Sequence, residues 1–199
     1  MESNEMGSEK NADFYNNFNT DENFLNKIER IYKPVYEKVI SLIDFNKNPR
    51  ILDIGSGVAS LVKYLKIINY KNYTGVDFAD KLLEFSRKRF PEYKFIHGNL
   101  TDTNFLKKTF INFDVFVCLE VLEHINSDLT IIEQIPKGKD LIFSVPNFDA
   151  KGHVRIFKNK NEIKNRYMNL LKFDDNCIFK IPRKKTEACF FLSKTIIKE

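Results

Sequence analysis

Seven glycines, six prolines, three cysteines and three histidines are all that 199 residues contain of those types. So little glycine excludes a collagen-like repeat, and a hydrophobic fraction of 43% with 19 Phe excludes a chain that stays disordered. Cys118, Cys177 and Cys189 are few, odd in number and widely spaced. They form neither a disulfide framework nor a metal knuckle, which fits a reduced, cytoplasmic setting. No apolar run approaches the length needed to span a bilayer, so no membrane span is expected. Residues 1–12 are polar and lack the basic-then-apolar order of an export signal. Internal repeats and low-complexity linkers are also missing, and the length suits one domain with at most a small cap.

Charge is unevenly spread. The net charge is +5, yet residues 1–150 carry 19 Lys/Arg against 22 Asp/Glu, leaving the excess of positive charge to residues 151–199. A basic final quarter attracts anionic substrates or nucleic acid, or is simply a Lys-rich solvated surface. Its aromatic residues sit within apolar runs, which favours core over a platform for stacking bases.

Residues 21–43 show helical apolar spacing, from Leu25 and Ile28 through Val35 and Val39 to Ile43, and Pro34 should break or kink that helix. From residue 51 strands and helices alternate. Strands are expected at 51–54, 73–77, 94–97, 114–119 and 141–145, and helices at 60–68, 80–90, 104–110, 128–135 and 161–171. Strands at 177–181 and 189–197 close the chain around a turn at 182–187. This is an α/β fold: a doubly wound, mostly parallel seven-stranded sheet with a final antiparallel strand and helices on both faces. Residues 1–45 read as a helical cap or lid and residues 46–199 as the main domain.

The sharpest motif is Ile51-Leu-Asp53-Ile-Gly55-Ser-Gly57-Val-Ala59, a glycine turn between a strand and a helix. Glycine there permits a tight turn and close approach of a ligand to the main chain. Asp77 ends the next strand, where a carboxylate can accept both hydroxyls of a ribose. Asp53, just before the glycines, would repel a pyrophosphate but attract a cationic ligand. The pattern resembles the class I S-adenosylmethionine (SAM)-dependent methyltransferases over residues 50 to about 157. That resemblance implies SAM as cofactor and S-adenosylhomocysteine as product. It places Asp53, Gly55, Gly57, Asp77, Phe78, Asn99, Leu100 and Glu120 at the cofactor. Asp77 would meet the ribose, Phe78 and the segment His97-Gly-Asn99-Leu100 the adenine, and Glu120 the methionine part. Asn99 stands where the family often has Asp, and Ala59 replaces a third glycine, tolerable if its φ is negative.

Methyl transfer requires an in-line approach and, for a hydroxyl or amine, loss of a proton. His124 and His153 follow strands at the ligand side of the sheet and are the candidate catalytic bases, whereas His97 lies further off. Either imidazole is equally compatible with a structural or exposed role. Glu120, Glu123, His124 and His153 also resemble the metal set of plant-type small-RNA 2′-O-methyltransferases, but the Leu-Glu-His-Ile run is common in the superfamily without metal. No obligatory metal is therefore expected. Phe14, Tyr15 and Phe18 are candidates for a lid, with Tyr15 facing the substrate, or for a staple onto the core. The expected activity is methylation of a small-molecule hydroxyl or amine, oxygen being favoured. A metal-assisted RNA 2′-O-methyltransferase and a non-catalytic SAM-binding protein are the alternatives. The acceptor and the oligomeric state are not encoded in any motif.

Overall fold

A computed structural model describes residues 7–174, 176–183 and 186–199. The chain runs α1 (Ala12–Asn16), α2 (Glu22–Leu42), a 3₁₀ turn (Phe45–Lys47), β1 (Ile51–Ile54), α3 (Ser60–Ile67), β2 (Tyr73–Asp77) and α4 (Asp80–Arg89). There follow β3 (Lys94–His97), α5 (Thr103–Phe110), β4 (Val115–Leu119), a second 3₁₀ turn (Leu122–His124), α6 (Asp128–Glu133) and β5 (Asp140–Pro146). The chain closes with α7 (Lys160–Tyr167), β6 (Leu171–Lys172), β7 (Ile178–Pro182) and β8 (Cys189–Ile197).

Helix starts are set by side chains that accept from otherwise unpaired N–H groups. Asp21 caps α2 through Asn23 and Phe24, Asp102 caps α5, and Asn159 caps α7. Pro34 does not divide α2, which continues through it to Leu42. The helix loses one hydrogen bond there but keeps Val35 and Val39 fully buried against the sheet, and that burial outweighs the missing N–H.

The sheet order is β3-β2-β1-β4-β5-β8-β6, with β7 also paired to β8. Strands β1 to β5 are parallel, and β8 runs antiparallel to β5 from Asp140↔Ile196 to Pro146↔Phe190. Eight strands stand where seven are expected because one sheet position is shared. Strands β6 and β7 lie end to end along β8, pairing near Ile197 and from Cys189 to Ser193 respectively. The helix expected to reach residue 171 accordingly stops at Tyr167. Strands β6 and β7 are antiparallel to β8 and so share the direction of β1 to β5, which leaves β8 as the one reversed strand among the described residues, in line with the single final antiparallel strand read from sequence. Two residues of the turn expected at 182–187, Lys184 and Lys185, lie outside the described residues, as do residues 1–6 of the polar N-terminus.

Alternation along the strands makes two cores. Leu52, Ile54, Phe116 and Cys118 face one helical layer; Ile51, Val115 and Val117 face the other, which includes α2 and α3. Burial on both faces is why β1 and β4 read as nearly continuous apolar runs. The strand order reverses between β1 and β4, and such a reversal leaves a crevice at the carboxyl edge of a parallel sheet. No helix among the described residues is long and apolar enough to cross a membrane.

Candidate functional site

A cleft of about 870 Å³ occupies that crevice. Its floor is the 55–58 loop after β1, Asp77 and Phe78 after β2, Asn99 to Thr101 after β3, and Glu120 and Val121 after β4. Helix α1 lies across it with Phe14 and Tyr15, while α2 contributes Tyr32 and Tyr36.

Gly55 and Gly57 both have positive φ, +72° and +52°. A Cβ on Gly55 would lie 2.5 Å from Val121 Cγ2, so both the backbone and the packing demand glycine there. The Gly57 N–H donates to Asp77 Oδ2 at 2.8 Å, and the Ala79 N–H donates to Oδ1 at 2.9 Å. Asp77 therefore ties the glycine loop to the end of β2. Burial raises its pKa, while these backbone donors pull the other way. With its Gly57 amide engaged, the loop does not offer that donor to a phosphate, and its acidic neighbour suits a cationic ligand. Ala59 has φ +55°, not the negative value under which alanine is comfortable. It caps α3 in a conformation that costs an L-residue about 1–2 kcal/mol.

Asp53 lies one layer behind the cleft wall, on the sheet face shared with α2. It is buried and accepts a hydrogen bond from the Tyr73 hydroxyl at 2.7 Å. Burial pushes its carboxyl up to about 7, with the Tyr73 bond opposing. Phe78 lines the cleft, its ring 5.4 Å from that of Tyr15. Asn99 Oδ1 accepts from the Thr101 N–H and hydroxyl, both at 2.9 Å, so this side chain shapes the turn at the rim. Leu100 is buried beside it. His97 is exposed, with Nε2 3.2 Å from the Phe78 carbonyl.

Glu120 holds φ +56°, a strained conformation for a residue with a side chain. It lines the cleft, and Oε1 accepts from the Ser144 hydroxyl at 2.7 Å. Burial pushes its pKa to about 8, against the Ser144 bond and the positive charge of Arg183.

His124 and His153 meet edge to face, with ring centroids 4.6 Å apart. His153 Nδ1 lies 3.1 Å from the Phe148 carbonyl. A carbonyl only accepts, so Nδ1 carries the proton and Nε2 keeps its lone pair. Glu123 is fully buried beneath this pair, and neither carboxylate oxygen has a hydrogen-bond partner. Its Oε1 is 3.9 Å from His124 Nε2. One potential ligand atom from each of Glu123, His124 and His153 lies within 4.8 Å of the others. Burial drives Glu123 well above its ordinary value, with Glu120 adding to the effect. Burial lowers His124 to about 4, His153 contributing, and also lowers His153. The Tyr15 ring stands 6.1 Å from His124, closing the cleft over the pair.

The structure thus gathers Gly55, Gly57, Asp77, Phe78, Asn99, Leu100, Glu120, His124 and Tyr15 around one cleft, with His153 against His124. Asp53 stands behind. The sequence reading missed Tyr32 and Tyr36, which spacing assigned to or near the core stripe of α2. Their signal was an i, i+4 pair of aromatics carrying hydroxyls on one helix face.

Residues 52–136 match the methyltransferase domain family. Among curated relatives, the mouse (Mus musculus) small RNA 2′-O-methyltransferase is 28% identical over 113 residues, 49% of this chain and 28% of that protein. The ubiquinone biosynthesis O-methyltransferase of Coxiella burnetii is 27% identical over 133 residues, 62% of this chain and 55% of that protein. The matches thus span only about a quarter to a little over half the length of these relatives. Magnesium protoporphyrin IX methyltransferase from Synechocystis PCC 6803, solved with bound S-adenosylhomocysteine, superposes with a TM-score of 0.65 at 14% identity, covering 94% of this chain and 93% of that one. The methyltransferase domain of bacterial CtHen1-C gives 0.62 at 17%, covering 82% and 97%.

Fold and domain match point the same way: residues 52–136 match a methyltransferase domain, and the fold is the one seen in solved members of the class I SAM-dependent methyltransferase superfamily. SAM is the cofactor of that superfamily, and the glycine loop and acidic wall fit a cationic ligand of this kind.

Proposed function

We propose that this protein methylates a hydroxyl on a small-molecule acceptor, an amine being the less favoured nucleophile. The observation that carries the reading is the pair His124 and His153 at the cleft, with the lone pair on His153 Nε2 set by the Phe148 carbonyl. Asp77 would hold the ribose of SAM, and Phe78, Asn99 and Leu100 its adenine. Gly55 and Gly57 would let the backbone approach the cofactor, with Glu120 near its methionine part and Asp53 acting by its field from behind the wall.

SAM supplies a methyl group already activated by the sulfonium. The residues of this chain position the acceptor in line and exclude water under Tyr15. They also remove one proton: the acceptor O–H proton passes to the free imidazole nitrogen of His153 or His124. Both imidazoles are neutral near pH 7, which is the form a base needs. Loss of a general base costs about 10²–10⁴-fold in rate. His124→Ala and His153→Ala, assayed by S-adenosylhomocysteine release over a panel of hydroxyl acceptors, should fall on that scale while retaining cofactor binding. Full turnover in both variants would leave positioning alone to carry the rate.

A second reading is favoured by one observation, the convergence of Glu123, His124 and His153 with both Glu123 oxygens unpartnered. One carboxylate and two imidazoles suit Mg²⁺ or Mn²⁺, and a cation there would acidify an acceptor hydroxyl such as an RNA 2′-OH. The readings separate under chelator. Activity that persists supports the base; activity that vanishes, returns with Mg²⁺ or Mn²⁺ and is lost in Glu123→Gln supports the metal.

A further inference from the structure

Behind the histidine pair lies a buried ionic cluster, none of whose side chains lines the cleft. Arg155 Nη1 donates to the carbonyls of Leu122 and of Ile125, the latter at 2.6 Å, and Nη2 donates to the Asn126 carbonyl at 3.2 Å. These carbonyls belong to the 3₁₀ turn that carries Glu123 and His124 and to the two residues after it. Carbonyls at the end of a helical turn lack partners within it, and only a guanidinium offers several N–H groups in one rigid plane. Arg155 also pairs with Asp128 at 3.3 Å. Asp128 is fully buried and accepts from Arg166 Nε at 2.7 Å, Arg166 Nη2 at 2.6 Å and the Tyr167 hydroxyl at 2.8 Å. On the other side, the Val154 N–H donates to the Glu123 carbonyl at 2.8 Å. The segment bearing His153 and the turn bearing His124 are therefore fastened together at adjacent residues.

We propose that Arg155 is a positioning residue: anchored by Asp128, it clamps residues 122–126 so that His124 is held edge to face against His153. The proposal rests on the functional reading of that pair. Arg155 does not itself line the cleft and reaches it only through the backbone carbonyl of Ile125. Without the clamp, three carbonyls lose their donors and the turn relaxes, carrying His124 away from His153. Lysine has the charge but not the planar fork, so it restores the clamp only in part.

The test compares the wild type with Arg155→Met and Arg155→Lys in full-length protein labelled at histidine. Imidazole resonances are recorded at one fixed pH, and S-adenosylhomocysteine affinity is measured by calorimetry. In Arg155→Met the His124 and His153 resonances should shift while His97, on the far strand, stays in place and cofactor affinity is kept. Arg155→Lys should recover part of the shift. Unmoved His124 and His153 resonances in Arg155→Met, with only a lowered melting temperature, would overturn the proposal and leave Arg155 a stabilising residue. Asp128 keeps Arg166 and Tyr167 in these variants, so no buried charge is stranded. Should Arg155→Met not fold, Asp128→Asn loosens the same clamp from its anionic side, and unmoved resonances there overturn the proposal equally. Absence of cofactor binding in the wild type would instead sink the methyltransferase reading, and the resonance shifts would still report on the clamp.

Discussion

Asp77 has two tasks that a single carboxylate performs at once. Its oxygens accept from Gly57 and Ala79, which fixes the glycine loop, and it faces the cleft where ribose hydroxyls would lie. Removing it should weaken SAM binding by about 1.5–3 kcal/mol, the scale of hydrogen bonds to a charged group. Asp77→Ala and Asp77→Asn separate the tasks. The amide oxygen of asparagine can still accept from one loop N–H, so Asp77→Asn should retain more stability than Asp77→Ala while also losing affinity. Calorimetry showing unchanged SAM affinity in Asp77→Ala would remove Asp77 from the cofactor site. Glu120 marks the same region by another route. A carboxylate side chain at φ +56° beside a buried serine is strain kept at one point of the cleft.

Among the α-helices of the described residues, α1 is the least buried. It is five residues long with no buried residue of its own. Its ties are few: Asn16 accepts from the Lys81 N–H at 3.1 Å, Glu9 accepts from the Asn126 N–H at 2.9 Å, and Tyr15 rests on Phe78 and His124. Helix α2 differs, since Val35 and Val39 are part of one of the two cores. The lid proposed for residues 1–45 should therefore reside in α1 and its flanks, with α2 as its fixed base. Hydrogen exchange at residues 14–18 should slow when cofactor and acceptor bind, because a lid orders as it excludes water. Equal exchange with and without ligands would reject a lid.

For the whole molecule, the buried acids set how stability depends on pH. Asp53 titrates near 7 in the fold and near 3.9 when exposed in the unfolded chain. An acid whose folded pKa is raised contributes stability that is full below about pH 4 and is lost as pH rises through about 7. Each tenfold change in proton affinity is about 1.4 kcal/mol. Asp53→Asn should therefore gain on the wild type progressively between pH 4 and 7, then hold a constant advantage. Glu120 acts in the same direction up to about 8. His124 works oppositely: its folded pKa is depressed to about 4, so its contribution is present above about 6.5 and is lost as pH falls through 4. Urea unfolding from pH 4 to 8 measures both limbs. A stability difference between Asp53→Asn and wild type that does not vary with pH would show that Asp53 is ionised throughout.

The alternation of strands and helices, the glycine turn after β1 and the carboxylate at the end of β2 were legible in the sequence. Each depends on residues close together in the chain: side-chain periodicity, turn chemistry and caps act within one or two elements. Those signals were enough to indicate the superfamily and the edge of the sheet where a ligand sits. The continuity of α2 through Pro34, the division of one sheet position between β6 and β7, and the place of Tyr32 and Tyr36 on the cleft came only with tertiary packing. So did the meeting of His124 with His153, the isolation of Glu123 beneath them and the grip of Arg155 on their loop. These features join segments far apart in sequence, and their energies come from burial, which removes water from charged groups and which no local pattern records.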